Sequence, residues 1–172
     1  MFQGSMGSLI IRRVAPGDAP ALARFYVGLG HEAQRAFRPM GGAADLAACE
    51  SVVRDNAPGR DIKHDLVAVN DSAIVGWCFL WSVRADTPTL GLAVADAWRG
   101  RGLGSRLADR ILDVARRRGK LHVQLTVVQD NERAWRLYER WGFVRSMEFV
   151  GSDGLPYYRM EALLSEVAVN AR

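Results

Sequence analysis

Apolar side chains recur along the chain with two spacings, which predict an alternation of strands and helices. Runs rich in β-branched and aromatic residues, bounded by turn residues, are typical of strands. They predict strands over residues 9–14, 65–69, 73–83, 89–94, 123–128, 143–150 and 157–164. Apolar residues spaced by three and four positions are typical of amphipathic helices. They predict helices over residues 19–29, 31–37, about 45–54, 103–118 and 131–141.

The predicted strand over residues 73–83 has an unusually regular pattern. Its large apolar side chains occupy every second position, at Val75, Trp77, Phe79 and Trp81. Because successive side chains of a strand point to opposite faces of the sheet, we expect this strand to have one large apolar face. Cys78 lies between two of these rings, and we expect it to be a small buried core residue.

Length and composition are typical of one globular domain. The chain has 172 residues, of which 49% are hydrophobic and 24% charged, which are ordinary values. No apolar run reaches the length of a transmembrane helix, and no segment resembles a signal peptide. Two cysteines do not make a disulfide framework, so we expect a cytoplasmic, reducing location. Residues 1–5 resemble a protease-site and cloning remnant, and we expect a single domain over residues 6–172.

The most informative stretch is a glycine-rich turn between a predicted strand and a predicted helix. Three glycines lie within residues 100–104, so backbone N–H groups can converge without obstruction by Cβ atoms. The helix that follows adds unpaired N–H donors and the positive end of its dipole. Residues 99–120 include eight basic and two acidic side chains, which gives this window a charge of +6 and the rest of the chain −2. The turn therefore predicts a phosphate or pyrophosphate site.

The turn differs from two familiar phosphate-binding motifs. A P-loop has Lys followed by Ser or Thr after its last glycine, and here Gly104 is followed by Ser105 and Arg106. A dinucleotide fingerprint has Gly-x-Gly-x-x-Gly and an acidic residue about 20 positions later, where this chain has Lys-Leu-His at residues 120–122. The pattern that remains is Arg-x-x-Gly-x-Gly over residues 99–104.

A second set of residues shares one face of the predicted helix over residues 131–141. Asn131, Ala134, Tyr138 and Trp141 are spaced by three, four and three positions, which places them on one side of a helix. Asn131 offers an amide, Ala134 leaves room for an approaching group, and Tyr138 offers a hydroxyl.

Together these two segments resemble the acyl-CoA motifs of the GCN5-related N-acetyltransferase (GNAT) superfamily. The second motif is Asn-x-x-Ala-x-x-Leu-Tyr-x-x-x-Gly-Phe over residues 131–143, and the resemblance covers roughly residues 9–164. It implies an α/β fold with a mixed, strongly twisted sheet flanked by helices on both faces. It also implies acetyl-CoA as the cosubstrate, with the strands over residues 89–94 and 123–128 splaying apart to admit the pantetheine arm.

The resemblance also assigns roles to single residues. Three residues of the strand before the turn would bond the pantetheine arm through their backbone, and the turn with Ser105 would hold the pyrophosphate. The residues implied in cosubstrate binding are Leu92, Ala93, Val94, Arg99, Gly100, Arg101, Gly102, Leu103, Gly104, Ser105, Asn131, Ala134 and Tyr138. The implied reaction is direct attack of a primary amine on the thioester in a ternary complex.

Tyr138 is the expected general acid, because a phenol with an ordinary pKa near 10 can protonate a departing thiolate. Many family members carry a carboxylate base on the strand before the turn, and residues 89–94 contain none. Neighbouring loops offer four candidate bases, with a water on Thr89 as a relay: Glu32, Asp86, Glu148 and Asp153. The sequence does not choose among them, and Glu32 is carried forward as the candidate base.

Several alternatives stay open at this stage. The missing strand carboxylate leaves room for a non-catalytic acyl-CoA sensor or regulatory domain. The amine acceptor is expected between residues 31–38 and 151–158, whose mixed side chains fit peptides, polyamines, antibiotics or amino acids. Nucleic acid and membranes are not expected partners, and a homodimer is left open. No metal site is expected, because the three histidines are isolated from one another in the sequence, at His31, His64 and His122.

Overall fold

One seven-stranded sheet organises the described part of the chain, which in this computed structural model is residues 8–38 and 45–169. Its strand order is β1-β2-β3-β4-β5-β7-β6. The strands are β1 (Ile10–Arg13), β2 (Lys63–Asn70), β3 (Ala73–Trp81), β4 (Thr89–Val94), β5 (His122–Val128), β6 (Val144–Val150) and β7 (Pro156–Leu163). The α-helices in these ranges are α1 (Ala19–Val27), α2 (His31–Ala36), α3 (Leu46–Asp55), α4 (Leu103–Arg117) and α5 (Glu132–Arg140).

The predicted α/β fold is confirmed, and each predicted strand and helix has a counterpart. The ends differ by a few residues, since backbone geometry overrides the apolar pattern there. The pattern extends the third strand to Val83, but β3 ends at Trp81 because Ser82 adopts a left-handed conformation with φ +55°. The predicted remnant at residues 1–5 lies outside the described residues.

The sheet opens between β4 and β5. These two strands run parallel, whereas the other neighbouring strands of the described sheet are antiparallel. β4 and β5 pair only where β4 begins, with Thr89 opposite Gln124. Beyond that point the strands separate toward their carboxyl ends. The predicted splay is therefore present, and it leaves backbone groups of β4 without a neighbouring strand.

Strand β3 is buried on both faces of the sheet. The predicted large apolar face is therefore only one of its two buried faces. Trp77 and Phe79 pack with α1 and α3 on one face, while Cys78 packs with α4 on the other. Gly76 also lies under α4, where a Cβ would come within 2.8 Å of a methyl carbon of Leu107. Small residues at alternate positions thus let α4 approach the sheet closely.

The buried carboxylate of Asp65 links the end of α3 to the sheet, on the face that carries Trp77 and Phe79. Asp65 is fully buried and accepts hydrogen bonds from the Asn56 amide at 2.7 Å and the Trp77 indole at 2.7 Å. The Trp81 indole donates at 3.2 Å to the oxygen that also accepts from Asn56. Burial raises the pKa of Asp65 to about 6, although these donors favour its charged form. The hydrophobic pattern gives no signal for this network.

Candidate active site

Two connected cavities occupy the splay between β4 and β5. The larger has a volume of about 650 Å³ and lies between α4, α5 and the strand ends. The smaller has a volume of about 330 Å³ and lies between α2, β4 and the β6–β7 loop. Six residues line both cavities and mark where they join: Arg35, Ala36, Phe37, Leu92, Thr126 and Tyr138. We call these the cosubstrate cavity and the acceptor cavity, after the ligands that the family resemblance predicts for them.

The glycine-rich turn forms one end of the cosubstrate cavity. Gly100 and Gly102 have φ angles of +72° and +75°, a left-handed region in which a side chain is strained. Gly102 is the residue that caps α4, so the first N–H groups of that helix, from Leu103, Gly104 and Ser105, have no partner within the helix. These N–H groups and the helix dipole fit the charge and size of a pyrophosphate.

The two arginines of the turn occupy different positions. Arg99 lines the cosubstrate cavity, donates to the Val94 carbonyl at 3.4 Å and pairs with Asp96 at 2.9 Å. Arg101 does not line this cavity, and its guanidinium lies 5.7 Å from the centre of the Trp98 ring. Its contact with phosphate stays a prediction. Two arginines of α5 that the sequence analysis did not single out do line the cavity, at Arg133 and Arg140.

The edge of β4 offers alternate backbone groups to the gap. The Ala95 N–H bonds to the Val75 carbonyl of β3 at 2.9 Å. In an antiparallel pair, residues that bond across the ladder alternate with residues that face away. Ala93 therefore directs its N–H at β3, and Leu92 and Val94 direct theirs at the gap. Three residues are predicted to bond pantetheine through the backbone. Leu92 and Val94 direct their N–H groups at the gap, as this role requires, whereas Ala93 lines the cavity but directs its N–H at β3.

The start of α5 forms the opposite wall of the cosubstrate cavity. The Asn131 side-chain oxygen accepts from the Ala134 N–H at 3.2 Å and so caps the helix. This leaves the Asn131 amide NH₂ group for other partners. Asn131 and Ala134 both line the cavity.

Tyr138 lies where the two cavities join. Its ring packs against Trp141 and Phe143, with centroid distances of 5.7 and 5.9 Å. Its hydroxyl has no hydrogen-bond partner among residues 8–38 and 45–169. Burial raises the pKa of Tyr138 to about 12, because desolvation disfavours the phenolate. The side chain therefore remains a protonated donor throughout the physiological pH range.

The four candidate bases are dispersed. Glu32 of α2 lines the cosubstrate cavity and Asp153 of the β6–β7 loop lines the acceptor cavity. Asp86 and Glu148 line neither cavity. The Gln129 amide lies 3.5 Å from Glu148 on the exposed edge of the sheet.

The acceptor cavity has an aromatic floor that leaves no room for a side chain at position 91 of β4. Phe79 of β3 lies directly opposite Gly91 of β4, and a Cβ at Gly91 would come within 2.0 Å of the Phe79 ring. The Phe79 ring also stacks on Trp81, with 4.0 Å between the ring centroids, and its centroid lies 5.7 Å from that of Phe37. The ring thus fills the space that a side chain at Gly91 would need.

An ion pair joins the two segments between which the acceptor is expected. Arg38, which follows α2, donates to Asp153 at 2.5 Å, and the Tyr157 hydroxyl donates to the same oxygen at 2.7 Å. The Tyr157 hydrogen bond holds the pKa of Asp153 below its ordinary value, and Arg38 adds to this effect. Residues 31–38 and 151–158 therefore meet across the acceptor cavity.

Two further searches covered the same described ranges. No helix there is long and apolar enough to span a membrane. No three His, Cys, Asp or Glu side chains come together there in a group that could hold a metal ion.

Comparison with known proteins identifies the family. The model of the acetyltransferase (GNAT) family matches residues 30–143, which is more than half of the chain. The chain belongs to the GNAT family. The resemblance drawn from the two sequence motifs is therefore confirmed, and the matched region contains the turn, α4, α5 and Tyr138.

Solved GNAT structures share the fold over nearly the whole chain. An acetyltransferase of the family from Streptococcus pneumoniae superposes with a TM-score of 0.75 and 25% identity, over 91% of this chain and 99% of that chain. The yncA protein from Salmonella typhimurium, whose structure includes its cofactor acetyl-CoA, has a TM-score of 0.75 and 22% identity over 94% of this chain and 97% of that chain. These likenesses establish the GNAT fold.

Curated relatives match shorter stretches. The mycothiol acetyltransferase of Beutenbergia cavernae is 52% identical over 52 residues, which are 30% of this chain and 18% of that protein. The 5-NmdU N-acetyltransferase of Pseudomonas phage PaMx11 is 34% identical over 95 residues, 54% of this chain and 66% of that protein. The chain thus spans less than two thirds of the length of these relatives.

Proposed function

We propose that this protein transfers the acetyl group of acetyl-CoA to a primary amine, with both substrates bound at once. The observation that supports this most strongly is the position of Tyr138, which lines both cavities where β4 and β5 separate. A group placed there can act on a thioester that enters from one cavity and an amine that enters from the other. Membership of the GNAT family supports the same reaction.

The cosubstrate cavity fits the parts of acetyl-CoA in order. The pyrophosphate would lie on the first turn of α4, beside Gly102 and Arg99. The pantetheine arm would run along β4 in place of a neighbouring strand, using the backbone of Leu92 and Val94. The acetyl group would then reach Tyr138.

The reaction needs no covalent link to the protein. The lone pair of the neutral amine forms a bond to the thioester carbonyl carbon, and the carbon–sulfur bond then breaks with its electron pair on sulfur. A β4 N–H that faces the gap would stabilise the oxyanion that forms between these steps. As the intermediate collapses, the attacking nitrogen loses a proton and the thiolate gains one. The products are the amide, CoA thiol and the one proton that the ammonium group loses before it attacks.

Tyr138 would serve as a hydrogen-bond donor to the departing sulfur. A phenol with a pKa of about 12 holds its proton more tightly than a thiol with an ordinary pKa near 8.5. Donation to the developing thiolate therefore contributes more than complete proton transfer. This refines the expectation from the sequence, which assumed an ordinary phenol pKa near 10.

Glu32 is our proposed base. It lines the cosubstrate cavity on the same short helix as Arg35, which lies at the junction of the two cavities. Asp153 is less suited to this role, because Tyr157 and Arg38 both stabilise its charged form and lower its pKa. A carboxylate with a lowered pKa is a weaker proton acceptor.

The proposal also covers the cellular location of the protein and its macromolecular partners. A cytoplasmic location is supported by Cys49 and Cys78, which are buried and unpaired. Nucleic acid is disfavoured, since basic residues of α4 donate to the protein itself, as Arg110 does to the Ile11 carbonyl at 2.8 Å. A homodimer is supported by the exposed apolar side chains of edge strand β6, and light scattering of the purified protein tests it.

The proposed function is tested by adding acetyl-CoA and then a panel of amines to the purified protein. Acetyl-CoA should raise the melting temperature, because it binds only the folded state. At least one amine should then give free CoA and an acetylated product in equal amounts, measured by thiol release and mass spectrometry. A rise in melting temperature without turnover of any amine would contradict the proposal and favour an acyl-CoA sensor.

A further inference from the structure

We propose that the acceptor is a small amine that also carries a carboxylate and an apolar side chain, as a hydrophobic α-amino acid does. This inference rests on the proposed function and specifies its second substrate. It is drawn from the acceptor cavity, in which an aromatic floor, two arginines and Tyr138 come together. Its volume of about 330 Å³ is at the small end of the range for small-molecule sites.

The aromatic floor selects for an apolar group. Phe79 lies against Gly91. The centroid of its ring lies 4.0 Å from that of Trp81, on which it stacks, and 5.7 Å from that of Phe37. Phe149 and Tyr157 form a second stacked pair at 5.5 Å on the side of the β6–β7 loop. Phe79 is only 7% exposed, so the apolar area that an acceptor can still cover lies mainly on Phe149 and Tyr157, which are half-buried.

The charges of the cavity select for an anion beside the amine. Arg35 and Arg38 line the acceptor cavity, and among the described residues that line it the only carboxylate is Asp153. Asp153 is already neutralised by Arg38 at 2.5 Å. A polyamine would therefore lack a counter-charge for its distant ammonium group, whereas a carboxylate would meet guanidinium groups.

Arg35 is placed to hold that carboxylate. Its protein partner is Asp130 at 2.5 Å, and the two side chains are 41% and 57% exposed. An exposed pair of this kind contributes little to stability, so a ligand carboxylate can replace Asp130 at small cost. Arg35 lines both cavities, as Tyr138 does. In an α-amino acid the amine and carboxylate share one carbon, so a carboxylate on Arg35 brings the amine to the junction where the thioester would lie.

Matched probes separate the contributions of these groups. The probes are L-phenylalanine, its amide, L-alanine and spermidine, each tested with acetyl-CoA for turnover and with CoA-loaded protein for binding by calorimetry. L-Phenylalanine should exceed its amide in kcat/KM by about tenfold or more, the usual size of a lost hydrogen bond to a charged group. It should exceed L-alanine by a similar factor, because alanine does not cover the floor.

Variants assign these preferences to residues. Arg35→Gln should remove the preference for L-phenylalanine over its amide, while Arg24→Gln, at an exposed position of α1 and outside both cavities, should keep it. Phe79→Leu should reduce the preference over L-alanine. If that variant does not fold, Phe149→Leu tests the same floor from the loop side. A rise in melting temperature with acetyl-CoA in Arg24→Gln and Phe149→Leu, equal to that of the unaltered protein, shows that the cosubstrate site is intact in these variants.

The outcomes separate this inference from the proposed function. Turnover of spermidine or of the amide at a rate equal to or above that of L-phenylalanine would overturn the inference and leave acetyl transfer intact. If no probe is acetylated, calorimetry decides the inference, because failure of L-phenylalanine to bind CoA-loaded protein at millimolar concentration would overturn it.

Discussion

The two cavities that meet at Tyr138 present different groups to their ligands. The cosubstrate cavity offers unpaired backbone groups beside its side chains, through the first turn of α4, the glycine-rich turn and the open edge of β4. The acceptor cavity offers mainly side chains, through the Phe79 ring, Arg35 and the Arg38–Asp153 pair. Backbone groups can hold one common ligand across a family, while side chains on separate segments can change independently. We infer that the second cavity sets substrate choice.

Gly102→Asp should have the largest effect on acetyl-CoA binding, because it alters the glycine-rich turn and leaves the acceptor cavity unchanged. The substitution forces a residue with a Cβ into a φ of +75° and adds a negative charge at the pyrophosphate site. We expect at least about a hundredfold loss of acetyl-CoA affinity, measured by calorimetry. Gly59→Asp is the matched control, since Gly59 has a φ of +84° with open space around it and lines neither cavity. Equal losses in both variants would mean that general strain, and not the site, is responsible.

Tyr138→Phe should have the next largest effect and should alter the rate more than binding. It removes one hydroxyl from the junction and keeps the ring that packs on Trp141 and Phe143. We expect kcat to fall by about a hundredfold, the lower end for general acid catalysis, with acetyl-CoA affinity nearly unchanged. Because the pKa of Tyr138 is about 12, the unaltered enzyme should show no loss of rate from its ionisation up to about pH 10. An unchanged kcat in the variant, with chemistry rate-limiting, would show that the Tyr138 hydroxyl does not stabilise the departing sulfur.

Substitutions of the two arginines of the turn test which side chains of the cosubstrate cavity bind phosphate. Arg99→Ala should weaken CoA binding by about tenfold and dephosphorylated pantetheine much less, since its expected partner is a phosphate. Arg101→Ala should have a smaller effect, because Arg101 lies on Trp98 outside the cavity. Calorimetry with both ligands measures the difference. A larger loss for Arg101→Ala would show that Arg101 leaves Trp98 when CoA binds.

The smallest effect concerns stability beneath the acceptor floor. The pKa of Asp65 is raised to about 6, so the folded state holds this proton more tightly and stability falls as the pH rises from about 4 to 6. The neighbouring His64 has its pKa lowered by burial to about 4, so its contribution falls as the pH drops from about 6.5 to 4. The two slopes oppose each other, each at most about 1.4 kcal/mol per pH unit.

Single variants should reveal each slope. Urea unfolding across this pH range should show stability decreasing with pH in His64→Gln, because Asp65 then titrates without opposition. Asp65→Asn should show the reverse slope together with a general loss of stability, since its amide NH₂ would face the Trp77 and Trp81 donors. Identical pH profiles in both variants would contradict the assignment.

The comparison also explains what could be predicted from the sequence. The cosubstrate half is predicted from two motifs, each continuous in the sequence. Their residues carry the resemblance to the GNAT family, and that family is confirmed. The direction of single side chains was not predictable, as Arg99 and Arg101 show. It depends on which neighbour, Asp96 or Trp98, each side chain meets after folding.

The acceptor half could not be read in the same way. Phe79 and Gly91 meet only through the register of β3 and β4, and Arg38 and Asp153 are 115 residues apart in the chain. Alternation along β3 predicted its large face, but it gave no indication that Gly91 would lie under a ring. The expected meeting of residues 31–38 and 151–158 came from the family resemblance and not from any local pattern.

Amide hydrogen exchange along β4, with and without acetyl-CoA, tests the central claim that the pantetheine arm occupies the gap. The N–H groups of Leu92 and Val94 face this gap, whereas that of Ala93 faces β3. We expect exchange at Leu92 and Val94 to slow by about tenfold or more when acetyl-CoA is added, with little change at Ala93. Unchanged exchange at Leu92 and Val94, under conditions where acetyl-CoA raises the melting temperature, would show that the cosubstrate binds elsewhere.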